Sequence, residues 1–190
     1  MMNKYTQGPY GLPLTQGWRR QDGSFAIELA FVLFGLCAIF MFGTDLSKQL
    51  LIRASLDRTS FSLVNVLKER TRYYDGEVSS ETNLIVTASN LSDMQTVGAR
   101  LLDMSSDDVA IQIQSMVDGT VTTLHSDQFD QYGCVTDDFS DYSDLVPEDD
   151  GTVYPLYRVS LCEQFDSWFL AFLGDDDTNT ILSSSIIVGR

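Results

Sequence analysis

The sequence predicts an α+β protein: a long, membrane-spanning N-terminal helix followed by a soluble part of mainly antiparallel sheet packed with helix. Three observations predict it. Residues 25–43 form an almost uninterrupted apolar run. A helical spacing of apolar residues then continues as far as Leu67. Beyond Gly76 the pattern changes to short alternating stretches with an Asp118-Gly119 turn signal.

The apolar run reads FAIELAFVLFGLCAIFMFG, 19 residues with one charge, Glu28. As a helix it is about 28 Å long, close to the thickness of a hydrocarbon core. Leu46, Leu50, Leu51, Ala54, Leu56, Phe61, Val64 and Leu67 recur mostly at three- and four-residue steps after it. Neither Gly nor Pro interrupts Thr44–Tyr74. One helix is therefore expected from about Phe25 to Tyr73, ended by Asp75-Gly76. The alternative is a kink at Gly43 and a separate core-facing helix.

In the remainder, Asn90–Met104 starts on capping residues and places Leu91, Met94, Val97, Leu101 and Met104 on one face, so it predicts a helix. Val109–Val117 alternates as a half-buried strand does, and Thr120–Leu124 returns from the turn as its partner. Thr152–Cys162 reads as a strand whose Pro155 suggests an edge or a bulge. Ile181–Val188 reads as a last strand, and Phe165–Leu173 as a short helix or a buried loop. Trp168, Phe169 and Phe172 form an aromatic cluster, read first as core and otherwise as a subunit contact.

Composition excludes several functions. The 190 residues hold 12 Lys+Arg against 27 Asp+Glu, a net charge of −15. Nucleic-acid binding needs a basic footprint to release phosphate counterions, so it is not expected. One histidine cannot build a histidine relay or a multi-histidine metal site, and three cysteines cannot build a four-thiolate zinc site. No Gly-rich phosphate loop, HExxH or GxSxG is present. No catalytic residue, cofactor or resident metal is expected. His125 has no Ser or Cys partner at a recognised spacing, and a lone histidine near a strand end is ordinarily surface or core.

The charge is unevenly placed. Residues 71–190 carry four basic side chains and 22 acidic ones, whereas Lys4, Arg19 and Arg20 precede the apolar run. The positive-inside rule puts Arg19 and Arg20 in the cytoplasm and the acidic part across the membrane. A cleaved secretory signal fits poorly, because the run is long and Thr44–Gln49 offers no small-residue cleavage site. An uncleaved anchor fits, but it leaves Glu28 unexplained. A carboxylate there costs roughly 2.5–3.5 kcal/mol at mid-bilayer, less near an end, so it either snorkels to the interface or is paired. Gly23 precedes Ser24, and counting from Ser24 makes Glu28 the fifth residue. A basic leader, a glycine, an apolar helix and a glutamate at that fifth position form a type IV prepilin signal.

RRQDG, followed by SFAIELAFVLFGLCAIFMFGTDLSKQLLIRASLDRTSFSLVNVLKERTRYYDG, resembles the TadE/TadF pseudopilins of the tight-adherence (Tad/Flp) pilus system, most closely the TadF branch. The resemblance covers roughly residues 19–76. It implies that prepilin peptidase cuts after Gly23, where a side chain would obstruct close backbone approach. It implies that the ammonium of a new N-terminal Ser24 partners Glu28, within the chain or on a neighbouring subunit. It also implies a minor component of the pilus, whose partners are TadE-like and TadG-like proteins and the Flp major pilin. Two departures stand out. Flp major pilins carry Glu-Tyr where this chain has Glu28-Leu29, which favours a minor component, and Ser24 stands where Phe or Met is usual.

The expected organisation is a cytoplasmic leader at 1–23, a long helix at 24–75 with 25–43 in the inner membrane, and a periplasmic domain at 76–190. Cys37 falls in the membrane segment as a small packing residue. Cys134 and Cys162 lie in an oxidising compartment on this topology and are expected to pair across 27 intervening residues; the alternative is two separate thiols. The loop so closed holds Asp137-Asp138, Asp141, Asp144 and Glu148-Asp149-Asp150-Gly151, a surface on which subunit contacts are expected. Neither this loop nor Gly174–Asn179 has EF-hand spacing; a calcium site is the sharper reading of the clustered carboxylates and a solvated loop the plainer one. The expected function is pilus biogenesis, initiation or tip structure, and hence adhesion. The alternative is an uncleaved single-pass membrane protein with a periplasmic binding or regulatory domain.

Overall fold

The computed structural model describes residues 22–74, 84–149, 152–174 and 178–189. It separates into two units, residues 1–38 and 39–190. Asp75-Gly76, Asp150-Gly151 and Asp175-Asp176-Asp177, which carried expectations above, lie outside the described residues.

Helix α1 runs Asp22–Tyr74, 53 residues, and passes through Gly43 without a break, so the kinked alternative is set aside. The polar residues that follow the apolar run are absorbed locally. Thr44 Oγ1 donates to the Phe40 carbonyl and Ser47 Oγ to that of Gly43, each at 2.8 Å. In the first unit, Phe25, Ile27, Phe31, Val32, Leu33, Phe34 and Leu36 are exposed apolar side chains.

In the second unit the distal part of α1 lies on a sheet. Leu56, Leu63, Val64 and Leu67 follow one another at steps of seven, one and three residues, share one side of the helix and are fully buried. They join Ile111, Ile113, Val159, Leu161, Phe165 and Ile181 in the main core. The sheet has four antiparallel strands in the order β2-β1-β5-β6. These are β1 Ala110–Val117, β2 Thr120–His125, β5 Leu156–Asp166 and β6 Thr178–Val188, with a small β3 Glu148–Asp149 and β4 Thr152–Val153 pair apart from it. The β1–β2 turn is the expected one: Asp118 and Gly119 both have positive φ, 46° and 75°, which is what a two-residue hairpin of matching twist needs.

Helix α2 is Ala88–Leu102, two residues earlier than its sequence pattern suggests. Thr87, not Asn90, caps it: Asn90 N donates to Thr87 Oγ1 while Thr87 N donates to Asn90 Oδ1, a reciprocal box.

Two further expectations are corrected. The strand expected over 152–162 breaks at Pro155, which separates β4 from β5, and β5 then runs on to Asp166. It is a central strand between β1 and β6, neither edge nor bulge. The strand expected to be half-buried, β1, is buried along both faces, including Gln112, Gln114 and Ser115. The reason is a second layer. α1 and α2 cover the face carrying Ile111, Ile113 and Val159, while helix α3 (Asp127–Gln131) and a 3-10 turn at Phe139–Leu145 cover the face carrying Ala110, Met116, Leu156 and Cys162.

Candidate functional site

Three features bear on function. The first is the start of α1. Gly23 and Ser24 lie within the helix span, but their side chains, with Arg19 and Arg20 entirely, fall outside what is described. Glu28 is exposed, among the exposed apolar side chains of the same unit. A helix of this length and hydropathy is able to cross a membrane.

The second is the acidic loop. Cys134 and Cys162 form a disulfide with Cα atoms 6.4 Å apart, as expected. Cys162 is buried with Ala110 and Phe129, so the staple fastens the loop to the centre of the sheet. Inside the staple the loop is not a free acidic tract, because Arg158 of β5 organises it. This side chain is only 1% exposed and is the largest of the fully buried ones among the described residues. Its Nε donates to Gln114 Oε1 at 2.5 Å, one terminal nitrogen donates to Asp137 Oδ1 at 3.1 Å, and the other to the Asp137 carbonyl at 2.8 Å. The guanidinium carbon lies 4.7 Å from the Phe139 ring centre and 5.7 Å from that of Tyr142. Tyr142 donates its hydroxyl proton to the same Asp137 carboxylate. That hydrogen bond, with Arg158 adding to it, holds the Asp137 carboxyl below its ordinary value; the same hydrogen bond raises the Tyr142 phenol, and there Arg158 opposes it. Burial pulls the Arg158 guanidinium down, and Asp137 opposes this. Asp138 accepts from Ser140 N at 3.0 Å and so starts the 3-10 turn, and Thr136 Oγ1 donates to Gln112 Oε1 at 2.9 Å.

The third is a tether between α1 and helix α4, Trp168–Leu173. Asp45, buried, accepts from Ser167 Oγ at 2.5 Å, Phe169 N at 2.7 Å and Trp168 N at 3.2 Å. Phe42 packs edge-on against Phe169, ring centres 5.5 Å apart. No residue of α4 is buried. The reading of Trp168, Phe169 and Phe172 as core is therefore corrected: Phe169 is half-buried against Phe42, while Trp168 and Phe172 are exposed.

Arg158 and Asp45 were not singled out from sequence. The signal for Arg158 was its position as a lone cation inside a strand pattern, amid 22 acids. Asp45 carried none, since its partners lie more than 120 residues away. His125 sits exposed at the end of β2 with Nδ1 3.4 Å from Asp130.

Comparison with known proteins adds the family. A family model described as "Putative tight adherence pilin protein F" (TadF) matches residues 16–190. No curated protein and no solved structure matches the chain. The matched span takes in Arg19, Gly23, Glu28, the stapled loop and all four strands of the sheet. The chain belongs to the TadF family of tight-adherence pilins.

Proposed function

We propose that the chain is a minor pseudopilin of a Tad/Flp type IV pilus, serving biogenesis, initiation or tip structure and, through these, adhesion. The observation that carries this is the family match over residues 16–190, a span that takes in Gly23-Ser24 as well as the sheet. On this reading residues 1–23 are a cytoplasmic leader oriented by Arg19 and Arg20, and prepilin peptidase cuts between Gly23 and Ser24. Residues 24–75 are the assembly helix, with 25–43 in the inner membrane, and residues 76–190 are the periplasmic domain. The Ser24 ammonium and the Glu28 carboxylate pair within the apolar layer and set the axial register of one subunit against the next. A pair is needed because a lone charge is costly in hydrocarbon.

The exposed apolar side chains from Phe25 to Leu36 support the reading, since such a surface requires lipid or other helices around it. Neighbouring subunits are TadE-like, TadG-like or Flp pilins, and the chain reaches the cell surface with the pilus. The Arg158-organised loop offers them a fixed acidic surface. The role is structural, without catalysis.

The test is the N-terminal mass of the chain co-expressed with its prepilin peptidase. A mature product beginning at Ser24, abolished by Gly23→Val, is the expected result. Glu28→Ala is expected to be clipped normally and to fail to enter pili. A chain that stays full length beside an active peptidase overturns the proposal and leaves a membrane-anchored binding domain.

A further inference from the structure

Helix α4 is a sequence of six apolar residues, WFLAFL, and Trp168 and Leu173 are 59% and 61% exposed. Isolated exposed apolar side chains are ordinary, but a whole helix of them without one buried member is not. Its position is fixed by α1. Phe42, near the end of the apolar run, packs on Phe169, and Asp45, two residues past the end of that run, takes three donors from Ser167, Trp168 and Phe169. An open groove of about 240 Å³, lined by Phe42, Leu46, Phe165, Phe169 and Leu170 among others, continues the apolar surface between the two helices. Of the charges nearby, Lys48 lies 5.4 Å from the Phe165 ring centre, Glu163 is half-buried on β5, and Asp166 is exposed at the end of β5.

We infer that α4 is a second membrane contact: it lies in the interfacial layer of the bilayer, beside the point where the apolar run of α1 leaves the hydrocarbon. The occupant of its outer surface is lipid. The argument is continuity of depth. A helix clamped beside Phe42 and Asp45 sits where the first polar residues of α1 emerge. Tryptophan and other aromatic side chains favour that layer, because it accommodates an apolar ring and a hydrogen-bonding edge together. The domain is then seated on the membrane at two points, which fixes its rotation about α1. A single helix leaves that rotation free.

The inference rests on the reading of residues 25–43 as a membrane span, and the experiment separates the two. The full chain carrying Trp18→Phe keeps Trp168 as its one tryptophan, and Cys37 is its one cysteine outside the disulfide. It is reconstituted in vesicles of phosphatidylethanolamine and phosphatidylglycerol, plain or with lipids brominated near the headgroup or near the chain end. The expected result has two parts. Cys37 resists a membrane-impermeant maleimide until detergent is added. Trp168 emission is shifted to the blue and quenched most by the headgroup-proximal bromines, with little loss to aqueous iodide. Protected Cys37 with Trp168 open to iodide and indifferent to bromine places α4 in water and overturns the inference alone. Protected Cys37 with Trp168 shielded from both quenchers means that protein covers α4, and it overturns lipid as the occupant. Cys37 that reacts before detergent removes the span reading and the inference with it.

Discussion

Ser60 and Ser185 share a hydrogen bond of 2.8 Å across 125 residues of chain, joining α1 to the strand β6. Ser183 also meets Ser60 at 3.3 Å and donates to Asp57 Oδ1 at 2.5 Å. A polar seam thus runs beside the apolar core, and Ser60 is fully buried within it. Ser60→Ala leaves Ser185 short of a partner and is expected to destabilise by about 1–2 kcal/mol. Denaturation midpoints in detergent micelles check this. Thermal or chemical midpoints equal to the parent chain's refute it.

Arg158 combines a hydrogen-bonding fork with two aromatic faces, and lysine reproduces neither. Its loss leaves the buried Gln114 Oε1 without its donor, and an unsatisfied buried polar group typically costs about 1–3 kcal/mol. Arg158→Ala is expected in that range and Arg158→Lys close behind it. The same denaturation measurements apply. A lysine variant as stable as the parent shows that charge alone suffices.

The pH dependence of the loop follows from Asp137. Its folded-state value is depressed, so it contributes stability that is complete above the ordinary aspartate value of 3.8 and is lost as pH falls through the lower folded value. Amide exchange across residues 137–145 is expected to accelerate in acid below that range, ahead of exchange in β1 and β5. With its side chain 57% exposed, Asp137 loosens the loop on protonation without unfolding the sheet. Asp137→Asn is expected to remove most of the dependence.

The disulfide closes a separation of 28 residues, for which chain entropy gives about 3–4 kcal/mol. The double change Cys134→Ser with Cys162→Ser is expected to lower stability by that amount and to expose the loop to proteolysis first. Cleavage appearing elsewhere first contradicts this order.

The parts legible in the sequence were those written in periodic or local chemistry. The long helix shows in unbroken three- and four-residue spacing, the hairpin in Asp118-Gly119, and the disulfide in two cysteines placed outside the apolar run. Boundaries failed where a residue served a different local role from its usual one. Asn90 is a strong capping type, but here it answers Thr87 from within the helix. Pro155 suggested an edge, yet it stands ahead of a central strand, where its missing N–H costs the ladder nothing. Arg158, Asp45 and the Ser60 seam were illegible because each depends on a partner brought near only by the completed fold.

The placement of β6 sets an order of events in time. It supplies the outer partner of β5, and its Ser183 and Ser185 hold α1 through Ser60. A ribosome delivers the α1 segment long before it delivers residues 178–188. Until that strand is paired with β5, the α1 residues Leu56–Leu67 lack Ile181 and their hydroxyl partners. The domain is therefore finished late, by the arrival of β6, and whatever handles the chain before then must tolerate an open sheet.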